Sequence, residues 1–228
     1  MKSKGDSAKK NTVRRRTTVN NVKAAYFKEV VPKMKEQFGY SSIMQVPRLE
    51  RIVVNTGIGK WLDQKDVKVK MARDIAQITG QKAVFTKAKK AIAGFKIKIG
   101  QEVGISSTIR GTRMYDFLER LIVATLPRVR DFRGISEKNF NVRGDVSIGI
   151  KEHIVFPEVD SENTDHIFGI EVSIVNTART KEEGLALMRM LGLPVRSGSE
   201  ESGVVEHIKS KQEEAKEKAA KEKKEKKA

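Results

Sequence analysis

The sequence predicts an α+β fold: a single, mainly antiparallel sheet with helices packed on one face, set between a basic N-terminal arm and a Lys/Glu-rich C-terminal tail. Three observations carry this. Short β-branched runs bounded by glycine recur from Arg48 onward. Helical patterns fall between them irregularly, without the steady strand–helix alternation of a parallel sheet. Charge is concentrated at the ends: of a net +17, residues 1–25 carry eight Lys or Arg and one acid, and residues 209–228 carry nine Lys and five Glu. The organisation expected is therefore an arm over 1–25, a folded domain over 26–195 and a low-complexity tail over 196–228. An organelle transit peptide is the other reading of the arm, but it has no apolar face to support that.

Tyr26 to Phe38 reads as an amphipathic helix with Phe27, Val30, Val31, Met34 and Phe38 on one face. Pro32 argues for a kink, and Gly39 for the stop. "RLERIVVNTGIG" (Arg48–Gly59) reads as a strand and a turn. Val67, Met71, Ile75 and Ile78 repeat at helical spacing and end at Gly80. "AVFTK", "VGISSTIRG", "VSIGI" and "IEVSIV" (Ile170–Val175) supply further strands. The clearest helix, Arg113 to Leu126, has Met114, Phe117, Leu118, Leu121, Ile122 and Leu126 as its buried stripe and Pro127 after it. "TKEE" (Thr180–Glu183) is a capping box that opens a last helix running to Leu191.

Catalysis finds little footing. There is no cysteine, so disulfides, thiolate metal sites and a cysteine nucleophile are excluded. His153, His166 and His207 stand at no metal-ligand spacing. "NTGIGK" (Asn55–Lys60) lacks the glycine spacing and the following Ser/Thr of a phosphate loop, so Gly57 and Gly59 read as turn residues. No catalytic residue, metal or cofactor is expected.

The basic excess points instead to a polyanion, with nucleic acid ahead of an anionic membrane. "FTKAKKAIAGFKIKIG" (Phe85–Gly100) holds five lysines (Lys87, Lys89, Lys90, Lys96 and Lys98), and no Asp or Glu occurs between Asp74 and Glu102. Lysines reach phosphates, Phe95 offers a face for an unstacked base, and the glycines let backbone come close. The alternative is a hairpin with solvated lysines and Phe95 tucked into the core. A second basic cluster, "PRVRDFRG", brings Arg128, Arg130 and Arg133 near Phe132, with Asp131 as a potential internal partner. Arg110 and Arg113 precede the same helix.

"ITGQKAVFTKAKKAIAGFK", "TIRGTRMYDFLERL", "LPRVRDFRG" and "GIKEHIVFPE" together resemble the bacterial-type ribosomal protein L5 family, the 5S rRNA-binding proteins of the large subunit. The likeness runs from about Tyr26 to Pro194. It implies an antiparallel sheet backed by helices whose open face holds 5S rRNA, with Asn55, Gln81, Phe95, Thr108 and Arg110 as binding residues; Arg113, read from the basic cluster before the helix, is expected to join them. It implies that the lysine loop approaches peptidyl-site tRNA, where flexible point charges suit an anion that must leave again. It also implies that "FPEVDSENTDHIFG" (Phe156–Gly169) meets a small-subunit protein at an intersubunit bridge through Glu158, Asp160, Glu162 and Asp165. Arg128, Arg130 and Arg133 are expected on other large-subunit rRNA. "ISS" (Ile105–Ser107) and Asp145–Val146 depart from the family's usual residues.

The expected protein is a structural, non-enzymatic ribosomal component in a cytoplasmic ribosome, an organelle ribosome being the alternative. It would have neighbouring ribosomal proteins as partners and no membrane. A free-standing RNA chaperone and a membrane-binding basic protein are the readings from other classes.

Overall fold

The structure, a computed structural model, describes residues 22–62, 64–159 and 166–196. Residues 1–21 of the arm and 197–228 of the tail lie outside them; residues 22–25, read as the end of the arm, begin the first helix, and Arg196, read as the start of the tail, closes the last strand. The chain forms a five-stranded sheet in the order β2-β3-β1-β6-β5. Its strands are β1 (Leu49–Gly57), β2 (Val84–Lys87), β3 (Glu102–Ile109), β5 (Val146–Ile150) and β6 (Ile170–Asn176). Every pairing within it is antiparallel. A separate two-residue pair, β4 (Ile135–Ser136) with β7 (Val195–Arg196), is parallel and was not anticipated.

Alternation of side chains makes the sheet two-faced. One face carries Ile52 and Val54 of β1, Ile105 and Ile109 of β3, Val172 and Ile174 of β6, and Ile148 and Ile150 of β5, all buried. Helix α3 (Lys65–Thr79) contributes Val67, Met71, Ile75 and Ile78 to this core, at the predicted spacing. Helix α4 (Thr112–Arg120) contributes Met114, Phe117 and Leu118. The last helix, α5 (Lys181–Met190), opens as predicted. Thr180 Oγ1 accepts from the Glu183 N–H at 3.3 Å, and Glu183 Oε2 accepts from the Arg179 N–H at 2.9 Å. Burial alone would raise the Glu183 carboxyl, but the backbone N–H groups of Arg179 and Thr180 and the nearby Tyr40 hydroxyl bring it down.

Two helices depart from the reading in the same way. The first runs through α1 (Val22–Ala25), a π-helical stretch (Tyr26–Val30) and α2 (Val31–Phe38). The Val31 N–H reaches the Tyr26 carbonyl, one residue beyond the α-helical partner. The wider turn precedes Pro32, whose missing N–H an α-helical ladder would have needed. It also shifts the faces, so Phe27, expected in the apolar stripe, is 61% exposed while Tyr26 is buried. In the second, α4 passes into a π-helical stretch, Leu121–Thr125, and a final 3-10 turn, Leu126–Arg128. Ile122 is therefore only partly buried, whereas Leu121, Thr125 and Leu126 are buried.

Near α5 the backbones meet closely. A Cβ built on Gly184 would lie 2.5 Å from Gly144 Cα, and one on Gly144 would lie 2.7 Å from Gly184 Cα. Gly144 belongs to a turn in which its own N–H donates to the Asn141 carbonyl, and its carbonyl accepts from Asn176 Nδ2 at 2.7 Å. Asp145 fixes the same turn, accepting from the Asn176 N–H and from Asn141 Nδ2.

Candidate nucleic-acid interface

The other sheet face meets no helix among the described residues, and it is mostly polar, with Val53 and the exposed Val84 among its side chains. The strand register sets its side chains in rows. One row runs Val84, Ser106, Asn55, Glu171, Gly149; the next runs Thr108, Val53, Ser173, Ser147. Ser147 and Ser173 hydroxyls lie 2.9 Å apart. Gly104 keeps the surface low between Thr86 and Asn55: a Cβ there would sit 2.7 Å from Thr86 Oγ1 and 3.9 Å from Asn55 Oδ1. Such a face offers hydroxyls and amides at strand spacing, a chemistry suited to ribose 2′-hydroxyls and base edges rather than to phosphate alone.

Asn55 is exposed on this face, and Thr108 is half-buried on it. At the β3 end beyond Thr108 stand three more of the expected residues, two of them held by hydrogen bonds. Gln81 Nε2 donates to the Thr108 carbonyl at 2.7 Å, and Arg113 Nη1 reaches the Gly80 carbonyl at 3.4 Å. Arg110, exposed, follows directly after β3. Gly80 itself takes the left-handed conformation (φ 69°) that ends α3 and turns the chain toward Gln81. Behind the face, Ser107 Oγ donates to Thr79 Oγ1 at 3.3 Å. Thus the unusual Ser107 and Asp145 serve the interior, not the open surface.

Phe95 is not part of that gathering. It stands in the loop between β2 and β3, at the opposite end of β3 from Thr108, and is 72% exposed. The core-packed hairpin alternative is thereby overturned. The loop is ordered by its own backbone: Ile92 and Ile97 exchange hydrogen bonds at 3.0 and 3.2 Å, and the Ala88 N–H donates to the Gln101 carbonyl at 2.8 Å. Lys96 sits at φ 55°, turning the tip. Lys87, Lys89, Lys90, Lys96 and Lys98 are all exposed on this frame, so repulsion among them is relieved only by solvent or by an anion.

The arginine turn after α4 also faces water. Arg128 and Arg130 stand in its outer part with Arg133, Phe132 packs partly against the core, and Asp131 forms no ion pair among the described residues. The acidic segment is a different matter. Glu158 is half-buried and accepts from Arg120 Nη1 at 2.6 Å, while Arg120 Nη2 caps the Ile78 carbonyl at the end of α3. Its carboxylate is already engaged within the chain. Asp160, Glu162 and Asp165 lie outside the described residues. Among those described, no cluster of His, Asp and Glu is arranged to hold a metal ion, and no helix is long and apolar enough to cross a membrane.

Two family models match consecutive parts of the chain: ribosomal protein L5 over residues 42–98, and the C-terminus of the same ribosomal family over residues 102–195. The chain belongs to the ribosomal protein L5 family. It is a structural, non-enzymatic ribosomal protein. Similar bacterial proteins, each named large ribosomal subunit protein uL5, include one from Trichodesmium erythraeum, 48% identical over 78% of this chain and 98% of its own length. One from Picosynechococcus is 50% identical over 77% and 97%, and one from Desulforapulum autotrophicum is 49% identical over 78% and 100%.

Several residues of the open face escaped sequence reasoning, namely Ser106, Ser147, Glu171 and Ser173. Their signal was present in the period-two alternation of "VGISSTI", "VSIGI" and "IEVSIV". Once one parity is apolar, the other names the outward set.

Proposed function

We propose that this protein is an RNA-anchoring component of the large subunit that holds 5S rRNA against the uncovered sheet face in the central protuberance. The observation that carries the reading is that face: a helix-free, hydroxyl- and amide-bearing surface ending in Gln81, Arg110 and Arg113. Hydroxyls and amides read sugar and base edges, and the arginines fork onto phosphates at one end. The exposed lysine loop is the element for peptidyl-site tRNA, and Arg128, Arg130 and Arg133 for adjoining large-subunit rRNA. The segment after Phe156 is the element for a small-subunit protein, through Asp160, Glu162 and Asp165, with Glu158 held back by Arg120 as a brace. Bacterial relatives favour a cytoplasmic ribosome over an organelle one.

The test is depletion of the protein from growing bacteria. Large subunits assembled without it should lack 5S rRNA when analysed by sedimentation and gel, and re-expression should restore it. Subunits with a normal 5S rRNA content would refute the anchoring role.

The exposed Phe95 gives a separate expected result. Phe95→Ala removes a stacking face worth about 1–3 kcal/mol and no charge. RNA binding should weaken while the dependence of log affinity on log salt keeps its slope. A reduced slope would mean that the substitution had displaced the lysines instead.

A further inference from the structure

We infer that Glu171 reads a base: its carboxylate accepts hydrogen bonds from the Watson–Crick edge of an unpaired guanine laid on the open sheet. The inference rests on the proposed RNA-binding role of that face and adds a specificity-determining residue to it. Glu171, the second residue of β6, points outward and is exposed. Asn55 stands opposite on one neighbouring strand and Gly149 on the other. Among the described residues it makes no hydrogen bond or ion pair. Arg51, on the same face, pairs with Glu50 instead.

An uncompensated carboxylate on a surface for a polyanion needs an account. It repels phosphates within a screening length of about 8–10 Å, so the RNA backbone cannot run directly over it. An ionised carboxylate is also acceptor-only, so the group above it must bring donors. Guanine presents its ring imino hydrogen and its exocyclic amino group side by side, matching the two carboxylate oxygens. Adenine and cytosine present one amino group each on that edge, and uracil a single N–H. The floor beside Glu171 suits a flat ring: Gly149 has no side chain, and a Cβ there would meet nothing within 4 Å. Asn55, one strand away at roughly 4.8 Å, supplies an amide with both donor and acceptor for the remaining edge or the ribose. A charge that would otherwise oppose binding thus becomes a filter on which base is accepted.

Glu171→Gln tests this in the full-length protein with 5S rRNA. The change is isosteric and exposed, so it leaves the fold intact. It replaces one acceptor oxygen with a donor that clashes with the guanine amino or imino hydrogen. Filter binding should weaken roughly five- to hundred-fold, within the range for losing a bidentate base contact, with an unchanged salt slope. Kethoxal, which attacks the imino and amino nitrogens of unpaired guanine, should modify a guanine that the wild-type protein protects, while the other protections persist. Equal or tighter binding by the variant would overturn the inference and leave the RNA-binding reading standing. Weaker binding with every guanine still protected would overturn it as well. A wild-type protein with no preference for 5S rRNA over an unrelated RNA of equal length would overturn both.

Discussion

Gly184→Ala is expected to destabilise the protein by about 2–3 kcal/mol or more, within the range of overpacked cores, although alanine is normally the better helix residue. Removing a glycine from a helix interior stabilises by about 0.5–1 kcal/mol. Here that gain is opposed by a Cβ placed 2.5 Å from both the Cα and the carbonyl oxygen of Gly144. These are backbone atoms, so no rotamer change relieves the clash. Either α5 lifts away from the 141–145 turn or the turn itself shifts, and the turn holds Asn176 through two hydrogen bonds. Gly144→Ala should behave likewise, with added strain from its φ of 79°. Gly149→Ala, with open space around its Cβ, should leave stability nearly unchanged. Urea unfolding of the three variants checks this. Equal midpoints for Gly184→Ala and wild type would contradict the close approach.

Acid should loosen the base of the segment that follows Phe156. His153 is fully buried and stacks on Phe168, with ring centroids 3.8 Å apart. Its Nδ1 accepts from the Phe168 N–H at 3.4 Å, and its backbone N–H donates to the Phe168 carbonyl at 3.1 Å. The Nδ1 contact requires an unprotonated nitrogen there, which leaves the ring proton on Nε2, 3.7 Å from Asp74 Oδ2. Burial pushes the imidazole down from 6.5 to about 4, and the N–H that Phe168 donates to Nδ1 favours the same neutral ring. The folded protein therefore binds fewer protons than the unfolded chain between those values. The stability attached to neutral His153 is present above pH 6.5 and is lost as pH falls toward 4, by about 3 kcal/mol in all. Asp74 works the other way, since burial raises its carboxyl despite Arg73 and Lys70 nearby. Melting temperatures from about pH 7.5 to about pH 4.5, which bracket most of that window, should fall more steeply for wild type than for His153→Gln, which has no imidazole to protonate. Parallel profiles would show that His153 is not the responsible group.

What could be read in the sequence was periodic. The strands from "RLERIVVNTGIG" to "IEVSIV" alternate, and Val67 to Ile78 repeats at helical spacing, so strands and helices fell where those periods placed them. The capping box at Thr180 was equally local. Phe27 and Ile122 escaped because π-helical turns rotate the faces, and hydropathy alone carries no mark of a five-residue turn. The β4–β7 pair is two residues long and joins segments distant in the chain, too short for a pattern. For the candidate site, the identities of Asn55, Thr108 and Arg110 came from motif resemblance and that of Arg113 from the basic cluster, while the register placed Asn55 and Thr108 on one face. The engagement of Glu158 by Arg120 depends on two chain segments meeting across α3 and α4, which no spacing in the sequence encodes.

The central claim is that a specific RNA sits on the open sheet face. It is tested most directly by titrating the full-length protein against 5S rRNA and an unrelated RNA of the same length, across a series of salt concentrations. The same titrations are made for the doubly substituted Asn55→Ala, Thr108→Ala protein. Wild type should prefer 5S rRNA at moderate salt, and the double variant should lose that preference while keeping the salt slope set by its lysines and arginines. Equal, salt-collapsing affinity of the wild type for both RNAs, or a preference untouched by the double substitution, would contradict the account.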